Sequence, residues 1–410
     1  VKVALLHQHY WPEIAATAQL VTDLCEDLCA DGHAVSVYCG QPSYRETVRR
    51  TLPGRERHRG VDIHRVWSYR PEHRTIAARL AQYASYFAAS LGAIAAEHDP
   101  PDVVLVVSTP PLLLGVSGAM LRAVRGVPFV YSVQDLYPDV AVDLGVLRPG
   151  LLASTIDGVS LGLYRAATRL VAVSESMAIR LVKKGVPPDR IDVIHNWADT
   201  DAVTPLPRDN PFARAHGLAD GFVVQYAGNV GRSQGLEHLP AAAETLRELP
   251  ITFVVVGDGD ARAPLEREAA RRHLTNVRFL PPQPRDSLAE LLASSDVGLV
   301  PMRRGIGGDL MPSKLYGIMA AARPVLASVE DESEVATVVR QSECGFVVPA
   351  EDPAALAGVV RQAWNARTEL PAFGARGREA CIRLFGRRAA TRRYAGVLAR
   401  AVEMHRTGRA

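Results

Sequence analysis

Phe222-Val223-Val224-Gln225-Tyr226-Ala227-Gly228-Asn229-Val230-Gly231-Arg232-Ser233-Gln234-Gly235-Leu236-Glu237 decides the reading of the chain. The run from Phe222 to Tyr226 has the length and composition of a buried strand, the glycines break it, and a helix pattern begins near Leu236. A strand that feeds a helix through a tight turn is the first half of a parallel crossover unit. Downstream the same alternation recurs. Short apolar runs at Ile251–Val256, Val277–Leu280, Val297–Val300, Pro324–Ala327 and Gly345–Val348 are mostly separated by helical stretches. Right-handed crossovers then give a parallel sheet with helices on both faces.

Upstream lies Thr204–Pro211, a polar, proline-bearing stretch that reads as a linker. Before it the pattern is repeated. Val3–Leu6 is a strand, a helix from Thr17 carries Leu20, Val21, Leu24 and Leu28 on one face, Gly32 ends it, and Val35–Tyr38 is the next strand. Val103–Val107, Pro128–Val133, Leu170–Ser174 and Ile191–Ile194 follow, with Ser174 placed to cap a helix bearing Met177 and Leu181. The expected organisation is α/β throughout, with two doubly wound, Rossmann-like parallel-sheet domains at 1–203 and 204–375. A helical segment, 376–410, rich in arginine, follows. Ligands in such folds bind beyond the carboxyl ends of strands, so the loops after strands, facing a central cleft, are the places to look.

Composition narrows the classes. The chain has 410 residues, 48% apolar and 22% charged, with a formal net charge of +3. That charge is too small to imply a nucleic-acid partner. It is unevenly spread: ten arginines oppose four acids between Arg45 and Arg79, and ten oppose two between Arg376 and Arg409. Such clusters suit an anionic membrane surface, and they equally suit a solvated face. Five irregularly spaced cysteines form neither a disulfide framework nor a metal motif, which fits a reducing cytoplasm. The short opening strand is not a signal core, and no run of apolar residues is long enough to span a bilayer.

Two loops carry the chemistry. Gly228, Gly231 and Gly235 let backbone approach a phosphate, the helix start offers unpaired N–H groups, and Arg232 adds charge. The loop lacks the Lys-Ser/Thr of a Walker motif and the spacing of a dinucleotide fingerprint. The second loop runs from Arg303 and Arg304 through Asp309 to Pro312-Ser313-Lys314. Ser313 is placed to cap the next helix, and Lys314 in its first turn opposes the helix dipole unless an anion neutralises it. In the first half Asp135 follows a strand, where it can orient or deprotonate an acceptor hydroxyl or merely cap a turn. Glu13 is its rival as base, in the polar-aromatic loop that starts at His7. Glu334, with Glu330 and Glu332, stands where a carboxylate can accept from a hydroxyl or cap a helix. Asp258 and Asp260 lack a clear third metal ligand.

Several of these stretches resemble retaining family-4 glycosyltransferases of GT-B fold. They include His7-Gln8-His9-Tyr10-Trp11-Pro12-Glu13, Gln134-Asp135-Leu136-Tyr137-Pro138-Asp139, Ile194-His195-Asn196-Trp197, the Gly228–Glu237 loop and Pro312-Ser313-Lys314-Leu315-Tyr316-Gly317. The likeness is greatest to bacterial transferases that add N-acetylated, often 6-deoxy, amino sugars to lipid-linked precursors of surface polysaccharides such as lipopolysaccharide. It implies a UDP-sugar donor held by the second domain, through Gly228, Asn229, Gly231, Arg232, Gln234, Arg303, Asp309, Ser313, Lys314 and Glu334. It also implies a polyprenyl-diphosphate-linked sugar or glycan acceptor held by the first domain. No metal and no tightly bound cofactor is implied. The expected location is cytoplasmic, peripheral on the inner membrane. Asp135, Lys314, Arg232 and Glu13 are the catalytic candidates. Departures from the family pattern are Gln134 where relatives carry His, Gly317 where they carry Glu, and Asn229 and Gln234 where they carry Arg and Lys. A UDP-sugar 2-epimerase of the same fold and a non-catalytic nucleotide-sugar-binding protein are the alternatives.

Overall fold

The computed structural model describes residues 1–13, 15–42, 51–70, 75–108, 112–143, 145, 147–305 and 311–408. The chain forms two units, Val1–His195 together with Arg387–Ala410, and Asn196–Gly386.

The sheet of the first unit contains β1 (Lys2–Leu6), β2 (Ala34–Cys39), β3 (Arg55–His58), β4 (Val61–Arg65), β5 (Val103–Val107), β6 (Phe129–Val133), β7 (Arg169–Ala172) and β8 (Ile191–Val193), in the order β3-β4-β2-β1-β5-β6-β7-β8. β5 and β6 are buried at every position, as expected of strands covered on both faces. All neighbours are parallel except β3 and β4, an antiparallel edge hairpin. The sequence reading missed this hairpin. Arg55-Glu56-Arg57-His58 has no apolar alternation because it is an edge, and its turn signal is Arg59-Gly60, with φ of 45° and 88°. The helix Glu175–Lys183 is capped as expected, the Met177 N–H donating to Ser174 Oγ at 3.1 Å.

The sheet of the second unit contains β9 (Phe222–Ala227), β10 (Ile251–Val256), β11 (Val277–Leu280), β12 (Val297–Pro301), β13 (Val325–Val329) and β14 (Gly345–Pro349), all parallel, in the order β11-β10-β9-β12-β13-β14. Counted within the unit this is 3-2-1-4-5-6, the doubly wound order whose reversal lies between β9 and β12.

The boundaries fall elsewhere than at 203/204 and 375/376. The chain leaves the first unit after His195 because Ala198 N–H donates to Phe385 O at 3.0 Å and Arg378 donates to Val203 O at 2.8 Å and Thr200 O at 3.0 Å. Thr204–Pro211 is likewise not a free linker. Arg208 donates to Asp296 at 2.7 Å and to Leu218 O and Ala219 O at 2.9 Å each, while Asn210 caps the helix Pro211–Ala215.

The last helix, Arg387–Arg406, belongs to the first unit and packs on the helix Ala16–Ala30. Arg387 stands in its first turn, an unfavourable place for a cation. Three carboxylates offset this: Arg387 donates to Asp27 at 2.7 Å, Asp23 at 3.0 Å and Glu26 at 3.4 Å. The helix Ile76–Ala95 buries Tyr86 completely, its hydroxyl donating to Tyr38 O at 2.7 Å. Tyr86 is therefore a packing residue of this helix.

Candidate active site

The second unit brings its two candidate loops together at the sheet reversal, because one follows β9 and the other follows β12. Backbone contact builds the first loop. Gly228 N–H donates to Val256 O at 2.9 Å, Val230 N–H to Asp258 O at 2.9 Å and Ala261 N–H to Val230 O at 2.9 Å. Gly257 and Gly259 have φ of 139° and 155°, and a Cβ on Gly257 would sit 1.8 Å from Gly228 O. Only glycine permits that approach. Arg262 holds the same corner from below, donating to Gly257 O and, at 2.8 Å, to Leu280 O. The two loops are then stitched to each other: Arg303 N–H donates to Ser233 O at 3.1 Å, and Gly235, at φ 62°, leaves room for Met302 O.

The glycine loop does not run straight into an α-helix. Arg232–Gln234 and Leu236–His238 are 3-10 turns, and the α-helix is Leu239–Thr245. The N–H groups of Gly231, Arg232 and Ser233 have no acceptor among the described residues, so this corner still offers donors. Arg232 is exposed beside them.

Lys314 reaches this corner from the helix Ser313–Ala320. Its ammonium donates to Gln234 Oε1 and stands 4.9 Å from the centre of the Tyr226 ring, and its Cε lies 3.4 Å from the position of a Cβ on Gly228. Tyr226 in turn donates to Asn229 O at 2.5 Å. Burial pushes Lys314 down to about 7, and its neighbours among the described residues are neutral, the Gln234 amide and the Tyr226 ring. Tyr226 escaped the sequence reading because it looks like one more apolar residue of β9. Its only signal is a hydroxyl at a strand end next to a glycine turn.

Other candidates fall differently. Ser313 is exposed and begins the helix instead of capping it, since Pro312, extended at ψ 131°, occupies the cap position. Arg303 is exposed, 3.7 Å from Glu351, and Arg304 donates to Ala350 O at 3.0 Å, so both side chains engage the loop after β14. Glu334 is buried at the start of the helix Glu334–Gln341, close enough for its charge to help raise the Tyr316 hydroxyl. Glu330 accepts from Gly305 N–H at 3.2 Å. Asp309 lies outside the described residues. Gly317 faces Leu292, 3.3 Å from the position of a Cβ. Asp258 accepts from the Gly259 N–H at 2.8 Å, the ordinary role of a turn aspartate. Glu237, His238 and Glu351 bring three ligand atoms within 4.8 Å of one another, with Arg303 already near Glu351.

In the first unit, Asp135 follows β6 and is half-buried, and burial raises its carboxyl above the usual range. Glu13 is tied to His9, with Oε2 2.6 Å from Nδ1, and its carboxylate is nearly covered, so it is not a free rival base. His7 is fully buried, and burial with His9 nearby lowers it to about 4, so the ring is neutral. Its Nδ1 is 2.5 Å from His9 O, which leaves Nε2 as a buried acceptor with no partner among the described residues. Gln134 is held by its N–H to Ser108 Oγ at 2.8 Å and by its side chain to Ser132 Oγ at 3.2 Å.

Comparison with known proteins bears on the family and the fold. Residues 5–197 match the family described as "Glycosyl transferase 4-like domain", and residues 221–366 match "Glycosyl transferases group 1". The chain is 32% identical over 63% of its length to the "Probable glycosyltransferase WbjE" of Pseudomonas aeruginosa, a match that spans 65% of that protein. It is 27% identical over 88% of its length, and 92% of the relative's, to the "Putative colanic acid biosynthesis glycosyl transferase WcaI" of Escherichia coli. Among solved structures, Anabaena HepE in complex with UDP-glucose has a TM-score of 0.75 at 17% identity, covering 97% of this chain and 99% of that one.

Proposed function

We propose that this chain is a glycosyltransferase of GT-B fold and moves a sugar from a UDP-sugar to a lipid-linked or glycan acceptor in surface-polysaccharide synthesis. The sugar is proposed to be an N-acetylated amino sugar, transferred with retention of configuration. The work would take place at the cytoplasmic face of a membrane. The single observation that carries the reading is the Lys314 ammonium, held against the Gln234 amide and the Tyr226 ring beside a glycine corner whose N–H groups have no acceptor among the described residues, at the sheet reversal of the second unit. Such a corner suits a group with two negative charges. The name of WbjE supports sugar transfer, that of WcaI supports transfer in colanic acid biosynthesis, and the UDP-glucose complex of HepE supports the nucleotide.

In the proposed mechanism the sugar–phosphate bond lengthens and negative charge gathers on the leaving diphosphate. The N–H groups of Gly231 and Arg232, the Arg232 guanidinium and Lys314 would receive that charge, and donors held in place by the fold would need little reorganisation as the reaction proceeds. The acceptor hydroxyl attacks from the face the phosphate leaves and passes its proton to the departing oxygen. Asp135, in the first unit, orients that hydroxyl, and its raised affinity for protons suits a hydrogen-bonding role. No side-chain nucleophile is invoked.

Thermal stabilisation by UDP- and GDP-sugars, followed by transfer from the best donor to a polyprenyl-diphosphate-sugar acceptor, tests the reading. Lys314→Ala is expected to lower turnover by about a hundredfold or more while the protein stays folded. Donor that is epimerised without acceptor points to the 2-epimerase, and near-normal turnover in Lys314→Ala removes the residue from the site.

A further inference from the structure

Away from Lys314 the second unit has a cavity of about 590 Å³, a volume ordinary for small-molecule sites. Asp296 immediately precedes β12, and Arg323 and Pro324 precede β13, so the cavity opens at the amino ends of these strands. The glycine corner and Lys314 lie beyond the carboxyl ends. Both strands have five residues, which separates the two regions by roughly 17 Å.

The lining combines an apolar body with a cationic rim. Pro205, Leu370, Pro371 and Ile382 supply apolar surface, and Arg323, Arg367 and Arg378 supply charge. Each guanidinium is hydrogen-bonded to neutral carbonyls: Arg323 to Leu206 O at 2.7 Å, Arg367 to Trp364 O at 3.1 Å, and Arg378 to Val203 O and Thr200 O. Arg323 Nε is buried with no partner among the described residues. Two carboxylates also line the cavity. Asp296 is bonded by Arg208 at 2.7 Å, and Glu379 is exposed. Three guanidiniums thus face two carboxylates, one of them already neutralised by a fourth. Burial lowers the proton affinity of Arg323, and the charge of Asp296 only partly offsets it.

We propose that this cavity binds a phosphate monoester or diester with an apolar substituent, the phosphate on Arg323, Arg367 and Arg378 and the substituent against Leu370 and Ile382. Planar guanidiniums match phosphate oxygens, and the apolar floor rewards a hydrocarbon or ring in place of a bare ion. The site is separate from that proposed for the donor.

The ligand has two sources, a soluble organic phosphate or a lipid headgroup, and the test has an arm for each. Phenyl phosphate is titrated calorimetrically into the full chain, into Arg323→Gln, and into Ala375→Trp, which fills the cavity from an exposed helical position. Phosphatidylglycerol vesicles are co-sedimented with the same proteins, and phosphatidylcholine vesicles serve as the neutral control. Binding in at least one arm is expected, weakened about tenfold or more in both variants. Stabilisation by UDP should be unchanged in Ala375→Trp. Variant-sensitive binding of phenyl phosphate alone assigns a soluble ligand, and variant-sensitive pelleting on anionic vesicles assigns a lipid. No binding in either arm, or binding to both variants as strong as to the unmodified chain, overturns the proposal.

Discussion

Lys314 keeps a charge where the fold alone disfavours one. Its ammonium is lowered from 10.5 to about 7 by burial. Between those values the unfolded chain holds one more proton than the folded one, so stability rises with pH across that window. The cost of the buried cation is fully present below about 7. An anion reverses the preference. Binding of UDP near pH 8 should therefore take up close to one proton, read as a dependence of the calorimetric heat on the ionisation enthalpy of the buffer. Lys314→Met should abolish the uptake and raise the melting temperature of the ligand-free protein near pH 6. A heat independent of buffer in the unmodified protein contradicts this. The charge conflict of Lys314 was legible in the sequence because a cation in a first helical turn breaks a local rule. The partners that hold it, Tyr226 and Gln234, were not, because only the folded sheet brings β9 beside the loop after β12.

Among elements, the loop after β10 carries the glycine corner. Gly257→Ala would place a methyl carbon 1.8 Å from Gly228 O, a backbone atom that can yield only if the whole corner moves. UDP-dependent stabilisation should fall sharply in this variant while circular dichroism stays native, and an unchanged UDP response would separate the corner from the nucleotide. A second element-level dependence is the last helix. Arg387→Ala removes the guanidinium nearest the buried Asp23 and Asp27, with Arg388 3.7 Å from Asp27 the more exposed cation left, and about 3–5 kcal/mol of stability should be lost, measured by urea unfolding. A loss below about 1 kcal/mol would show that the clamp is weak. Central strands were legible because burial on both faces leaves continuous apolar runs, as in Val103–Val107 and Ile251–Val256. β3 was not, since an exposed edge needs no apolar residues. The cap position of Pro312 escaped for another reason: a serine beside a proline offers two plausible starts, and the backbone decides between them.

At the scale of the molecule, two doubly wound units share one plan, and the sheet reversal of each directs attention to loops already marked by glycines, charges or buried polar side chains. The unit boundaries were less legible than the strands. Polar, proline-bearing Thr204–Pro211 looked like a tether, but Arg208, Arg323 and Arg378 bind its neighbourhood to the second unit through carbonyls, which carry no sequence signature. The division of labour, acceptor on the first unit and donor on the second, follows from the proposed function. Its centre is the placement of the leaving diphosphate, which a crystal structure of the chain with UDP tests most directly. The account predicts diphosphate oxygens within hydrogen-bonding distance of the N–H groups of Gly231 and Arg232 and of Lys314 Nζ. A diphosphate bound away from both would contradict it.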